Sequence, residues 1–234
     1  MKTKLYSLIP LLTLVFAAPL AGCGKKDGYE SKRIAKVAVL TIEEANSLPI
    51  MPLAKGNQWV YSVTVGNQRI ETELIVQDVR QDSGATLATI GVASTGSLSQ
   101  TSDWKLDASG LYQLTAGAEG ELFVPPQLLV KLPIIIGDEY EQDCNGRWPT
   151  GGSGDFQVKS RVVGVQEVDT GVGRLSAIAI ESLTTWENEG IQYGATGMTW
   201  WVPGIGFVRQ RQEIALPSGN FVATYRLQSH SLKN

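Results

Sequence analysis

The chain has 234 residues, is 43% hydrophobic and carries a formal charge of −3. That length suits one large domain or two small ones, and the apolar content allows a packed core. The acidic balance argues against nucleic acid as a partner, because such an interface needs clustered lysine and arginine.

The N-terminus reads as an export signal. Lys2 and Lys4 form a short positive segment, and Leu5 to Leu20 follows without a charge. Pro10, Thr13 and Pro19 interrupt that run. It is short for a membrane-spanning helix, which needs ~20 apolar residues, and has the flanks of a secretory signal. It ends in Leu20-Ala21-Gly22-Cys23, which resembles the lipobox of bacterial lipoproteins: an aliphatic residue, two small residues, then Cys. The resemblance implies cleavage before Cys23, a diacylglyceryl group on its sulfur and an acyl chain, typically palmitate, on its new amine. Two or more chains hold a protein stably to a membrane where one does so only marginally. Loss of Lys2 and Lys4 with residues 1–22 takes the formal charge from −3 to about −5. Lipoproteins of Gram-negative bacteria that stay in the inner membrane usually have Asp after the Cys. Gly24 stands there instead, which implies the outer membrane, facing the periplasm.

Residues 23–50 read as a lipidated tether. Lys25, Lys26, Lys32, Arg33 and Lys36 outnumber Asp27 and Glu30, so this segment is either drawn to anionic headgroups or a solvated spacer. Lys32 to Asn46 could form a short helix, whereas Val37-Ala38-Val39-Leu40 could equally form a strand.

From Met51 onward the pattern alternates as in β-strands. Trp59, Tyr61, Val63 and Val65 share one face. After a turn at Gly66-Asn67, Ile70, Thr72, Leu74 and Val76 do the same, a hairpin signature. Phe156, Val158, Ser160 and Val162 repeat the pattern. So do Phe221, Ala223, Tyr225 and Leu227, after a turn at Pro217 to Asn220. Strands with one polar face belong to antiparallel sheets. The expected fold is all-β: a long antiparallel meander forming a curved sheet or open half-barrel. At most one or two short helices join it, in the tether and around Pro126 to Lys131.

An internal repeat runs through residues 51–234, read as a single β domain. Pro52-Leu53-Ala54-Lys55-Gly56-Asn57-Gln58-Trp59 resembles Pro133-Ile134-Ile135-Ile136-Gly137-Asp138-Glu139-Tyr140. Trp104 precedes Gly110 by the spacing that Trp200 keeps to Gly206. The expected halves span about 51–120 and 132–230. Pro203-Gly204 fits the centre of a type II turn. The phrase from Pro52 to Tyr61, with Trp200 to Val208, resembles a group of uncharacterised bacterial envelope proteins. The meander is loosely similar to the half-barrel carriers of lipids and lipoproteins. That likeness implies an apolar ligand such as a lipid.

Motifs for catalysis are sparse. The sequence contains no Gly-x-Ser-x-Gly, His-Glu-x-x-His or phosphate-cradling loop. The one histidine, His230, lies near the C-terminus, in what reads as a tail. One His and two Cys, one of them lipidated, cannot build a His-based zinc site. Cys144 is left as a lone thiol, best read as a small buried hydrophobe. Glu139, Glu141 and Asp143 alternate on one strand face; they suit a calcium shell or a glycosidase pair, and equally a charged strand that resists edge pairing. Trp186, Trp200 and Trp201 are candidates for a ligand or partner surface, although Trp200 and Trp201 must face opposite ways in a regular strand. The expected function is non-enzymatic and without cofactor: an envelope lipoprotein binding an apolar ligand. A protein-interaction module is the alternative, and a carboxylate-dependent hydrolase comes last.

Overall fold

The computed structural model describes residues 40–94, 97–117, 119–216 and 219–233. The lipobox, the tether up to residue 39 and the turn residues Pro217 and Ser218 lie outside them. One helix, α1 (Ile42–Ser47), precedes twelve strands. The first six are β1 (Gln58–Val65), β2 (Gln68–Asp82), β3 (Ala85–Ser94), β4 (Ser97–Asp107), β5 (Gly110–Ala116) and β6 (Glu121–Lys131). The second six are β7 (Glu139–Arg147), β8 (Ser153–Thr170), β9 (Gly173–Asn188), β10 (Ile191–Val202), β11 (Gly206–Leu216) and β12 (Gly219–Ser231).

Each strand pairs antiparallel with the next, and β1 also pairs with β12, so the expected meander closes into a barrel. Closure follows from the residues at the two ends of the meander. Tyr61 and Val63 of β1 stand opposite Leu227 and Tyr225 of β12, and all four are buried. An open barrel would leave both apolar rows and two sets of backbone donors and acceptors in water.

Short turns set the register. Gly66 (φ 55°) with Asn67 links β1 to β2, the single positive φ of a type II′ turn. Ser83 and Gly84 both have positive φ between β2 and β3, as do Glu189 and Gly190 between β9 and β10, which marks type I′ turns. At Pro203-Gly204 the Ile205 N–H donates to Val202 O at 2.9 Å with Gly204 at φ 80°, the expected type II turn.

The repeated phrase is structural. Gly56 and Gly137 take φ 83° and 81°, and their N–H groups donate to Val76 O and Val162 O, each at 2.8 Å. Val76 and Val162 donate back to Asn57 O and Asp138 O, each at 2.9 Å. Bulges follow at Val76/Asp78 and Val162/Gly164. The halves are therefore β1–β6 and β7–β12. The first half includes β6, which the sequence reading left between the halves and weighed as a helix around Pro126 to Lys131. Leu111 opposite Val130 and Gln113 opposite Gln127 hold that segment as a strand.

The two junctions between the halves differ. β12 and β1 share a full ladder, whereas β6 and β7 share one residue pair, Val124 and Asn145. Pro125 and Pro126 have no N–H to offer there. Side chains bridge the seam instead. The Leu128 N–H donates to Gln142 Oε1 and Gln142 Nε2 to Pro126 O, both at 2.7 Å. Tyr140 donates to Leu129 O at 3.2 Å, Lys131 pairs with Asp138 at 2.9 Å, and Arg147 pairs with Glu121.

The described end of the tether segment is packed, not free. Thr41 and Glu44 form a capping box on α1. Asn46 makes two hydrogen bonds to the Ile134 backbone, at 3.0 and 2.7 Å. Ile50 and Met51 are fully buried. This segment covers the barrel end that also carries the β6–β7, β8–β9 and β10–β11 connections. It does so because Ala45, Ile50 and Met51 complete the main core.

The interior is filled. Trp59, Tyr61, Trp104, Trp201, Phe207 and Tyr225 are all nearly or fully buried. Tyr61 stacks on Phe207 at 4.4 Å and donates to Phe207 O at 2.8 Å. A second apolar cluster, with Phe123, Cys144, Phe156 and Trp186, sits toward the far end. Polar side chains are also enclosed, among them Gln100, Ser102, Gln113, Gln127, Gln210 and Thr199. Ser102 shows how such groups are satisfied. It donates to Thr115 O and accepts from Trp104 Nε1 and Gln113 Nε2. Among the described residues no charged side chain is fully buried, so the charges lie outside, the reverse of a membrane-spanning barrel with its apolar outer band.

Gln142→Ala removes both amide bridges at the seam and leaves the Leu128 N–H and Pro126 C=O without their partners. The variant is expected to lose about 1–3 kcal/mol in urea unfolding. Amide exchange should accelerate first in β6 and β7.

Candidate functional site

The three candidate tryptophans do not share a surface. Pairing shifts between β10 and β11 from Trp200 opposite Arg209 to Trp201 opposite Phe207. Trp201 turns inward, 1% exposed, with its ring edge-on to Phe207 at 5.7 Å. Trp186 is 3% exposed and stacks on its cross-strand neighbour Tyr193 at 5.5 Å. Trp200 alone faces outward. The Arg209 guanidinium lies 5.4 Å from its ring centre, and its N–H donates to Gln166 at 2.9 Å. The surface reading of Trp186 and Trp201 is thus replaced by a packing role, because strand alternation aims both at the interior. The spacing that aligned Trp104 with Trp200 also misleads. Trp104 points inward, and Trp201 is its inward counterpart across the bulge.

Glu139, Glu141 and Asp143 do lie on one face of β7, each engaged separately. Glu139 stands opposite Arg161, Glu141 pairs with Lys159 at 3.3 Å, and Asp143 accepts from Gln157 at 2.9 Å. About half of the Glu141 side chain is exposed. A glycosidase acid needs a raised pKa in a shielded pocket, and this open, cation-paired carboxylate has no such setting. Among the described residues no cluster of His, Cys, Asp and Glu could hold a metal ion.

Cys144 is 3% exposed, opposite Phe156. Burial, aided by the charge of Asp143, pushes its thiol up to about 12. A thiol so placed is not a nucleophile at neutral pH. His230 is not in a tail. It pairs with Trp59 at the end of β12, and burial lowers its pKa. Burial likewise raises the Tyr140 phenol to about 12.

A concavity of about 710 Å³ lies on the outer wall across β7 to β11. Sheet register explains its chemistry. One row reads Glu139, Arg161, Glu181, Met198 and Arg211 from strand to strand. The next reads Glu141, Lys159, Leu183, Thr196 and Glu213. Arg161 pairs with Glu181 at 2.7 Å and Arg211 with Glu213 at 2.8 Å. Leu183, 40% exposed, and Met198 give this charged floor an apolar centre. The sequence signal for the groove was the run of alternating charges on β7 and β8. Which strands lie beside them required the register. Inside the barrel, by contrast, the space lined by Gln127, Leu129, Val158, Thr199 and Trp201 is about 20 Å³, room for one water.

Truncating the inward tryptophan, Trp201→Ala, is expected to cost about 3–5 kcal/mol of stability. Trp200→Ala should cost less, about 1–3 kcal/mol, the loss of one cation–π contact and one hydrogen bond; denaturant unfolding of both variants compares them. In a Cys23→Ser chain, Cys144 should resist a disulfide reagent at pH 8 and react at once in unfolding concentrations of urea.

No protein-family model and no curated protein matches the sequence. Among solved structures, the chain is similar to a Bacteroides fragilis protein described as exported, with a YmcC-like fold. The TM-score is 0.56 and the identity 11%, over 79% of this chain and all of that one. It is also similar to a Parabacteroides distasonis protein described as a lipoprotein, with TM-score 0.51 and 12% identity, over 79% of this chain and 99% of that one. At these identities the likeness is one of fold: the chain shares its barrel architecture with these two bacterial proteins.

Proposed function

We propose that this chain is a lipid-anchored protein of the bacterial cell envelope that performs no chemistry and works by binding a protein partner on its outer wall. The observation that carries the reading is the contrast between an interior of buried aromatic, aliphatic and amide side chains and an outer groove of about 710 Å³. The lipobox at Cys23 supports the anchor. So do fold relatives described as exported and as a lipoprotein. An apolar ligand inside the barrel is the weaker reading, because about 20 Å³ cannot hold an acyl chain. The groove suits a partner segment that carries both charge signs and one apolar side chain over Leu183 and Met198.

Cys23→Ala is expected to release the protein from the membrane fraction. A photocrosslinker at Leu183 should yield a discrete protein adduct in intact cells that is lost with Met198→Glu. Stoichiometric noncovalent lipid in native mass spectra, together with no adduct, would favour the carrier reading instead.

A further inference from the structure

The β8–β9 hairpin leans across the neighbouring wall. Gly171 N–H donates to Leu227 O on β12 at 2.6 Å, and a side chain at Gly171 would strike Gln228. Leu175 to Ile180 of β9 are consequently buried on both faces. Between the hairpin tip and strands β11 and β12 lies a crevice of about 480 Å³, lined by Asp169, Thr170, Gly173, Arg174, Arg209 and Arg226.

Its charge is unbalanced. Arg209 and Arg226 are directly opposed across the β11–β12 pair, an arrangement that costs stability when both residues carry the same sign. Among the described residues no carboxylate lies within ion-pair distance of either one, whereas Arg174 is held by Glu167 at 3.4 Å and Asp169 at 3.3 Å. Arg226 donates to Thr170 O at 3.0 Å, which leaves its remaining N–H groups free to point elsewhere. Among the described residues the buried Nε–H of Arg209 meets no acceptor, and the Trp200 ring supports the same guanidinium. Trp200 is in turn fixed by Gln166. Two held guanidiniums that line one crevice present N–H donors suited to a tetrahedral oxyanion.

We propose that Arg209 and Arg226 form a binding site for a phosphate group. Leu40 N–H donates to the Ser176 hydroxyl at 3.3 Å, close to the hairpin tip. Leu40, the first described residue, therefore lies at the barrel end that carries the crevice. The phosphate can belong to a lipid headgroup or to a soluble phosphorylated molecule, and the site does not depend on the outer-groove partner.

The test uses the mature chain with Cys23→Ser, so that insertion of the anchor cannot mask binding. Inorganic phosphate, titrated calorimetrically at constant ionic strength, should bind. Arg209→Gln and Arg226→Gln should each weaken it about tenfold or more. Arg226→Lys should retain part of the affinity, and Arg80→Gln, at an exposed arginine on β2, should leave it unchanged. Thermal melts of each variant check that it folds. Sedimentation with vesicles of phosphatidylglycerol then separates the sources. Vesicle binding lost with Arg226→Gln supports a headgroup, while phosphate binding with vesicle binding unaffected by that change supports a soluble ligand. Absence of phosphate binding in the parent chain, or binding weakened as much by Arg80→Gln as by Arg226→Gln, would overturn the site.

Discussion

The pairing of β1 with both β2 and β12 is the constraint on which the rest of the molecule depends. A twelve-strand meander has two edges. Joining them removes the exposed backbone groups that make open sheets prone to pair with other chains. Joining them also decides what the interior must contain. Every inward side chain now faces another wall, and the barrel is stable only if those walls meet. They meet through aromatic bulk from β1, β4, β10, β11 and β12, with Tyr61 stacked on Phe207 as the tightest ring contact. The same closure turns the charged faces of β7 to β11 outward, where strand register arranges them into a groove.

Closure is uneven. The two halves repeat the same Gly hook at Gly56 and Gly137, yet β12 and β1 zip together while β6 and β7 scarcely pair. The prolines at 125 and 126 explain the asymmetry, and Gln142 replaces backbone hydrogen bonds with amide ones. At the covered end, α1 with Ile50 and Met51 does for the barrel mouth what a cap residue does for a helix: it supplies partners to groups that would otherwise face water. The β8–β9 hairpin bends over the adjacent wall at that end, above two arginines that make no ion pair with a described carboxylate.

Much of the fold was legible in particular residues. Alternation over Trp59 to Val65, Phe156 to Val162 and Phe221 to Leu227 marked strands, because side chains of a strand point to opposite faces with period two. Gly66-Asn67 and Pro203-Gly204 marked turns whose φ values the barrel adopts. The phrases at Pro52 and Pro133 marked a repeat whose hydrogen bonds match pair by pair. The site was much less legible. Trp186, Trp200 and Trp201 looked alike in sequence, and alternation could separate the last two without saying which one faced inward. The arginine pair was invisible, since Arg209 and Arg226 are brought together only by the β11–β12 register.

The sequence by itself determined the all-β class and the principal turns, and it carries the lipobox-like phrase at Cys23 and the repeated phrase at Pro52 and Pro133. Each of these is written in local chemistry: a charge-free run, a period of two, a glycine where φ is positive. Only the tertiary structure decided that the sheet closes and that the interior is solid. It also decided that Glu139, Glu141 and Asp143 belong to a charged outer floor and that a basic crevice lies under the β8–β9 tip. Those features depend on which strands become neighbours and how far each bends. Both are set by the summed packing of residues far apart in the chain, and no short stretch of sequence contains that sum.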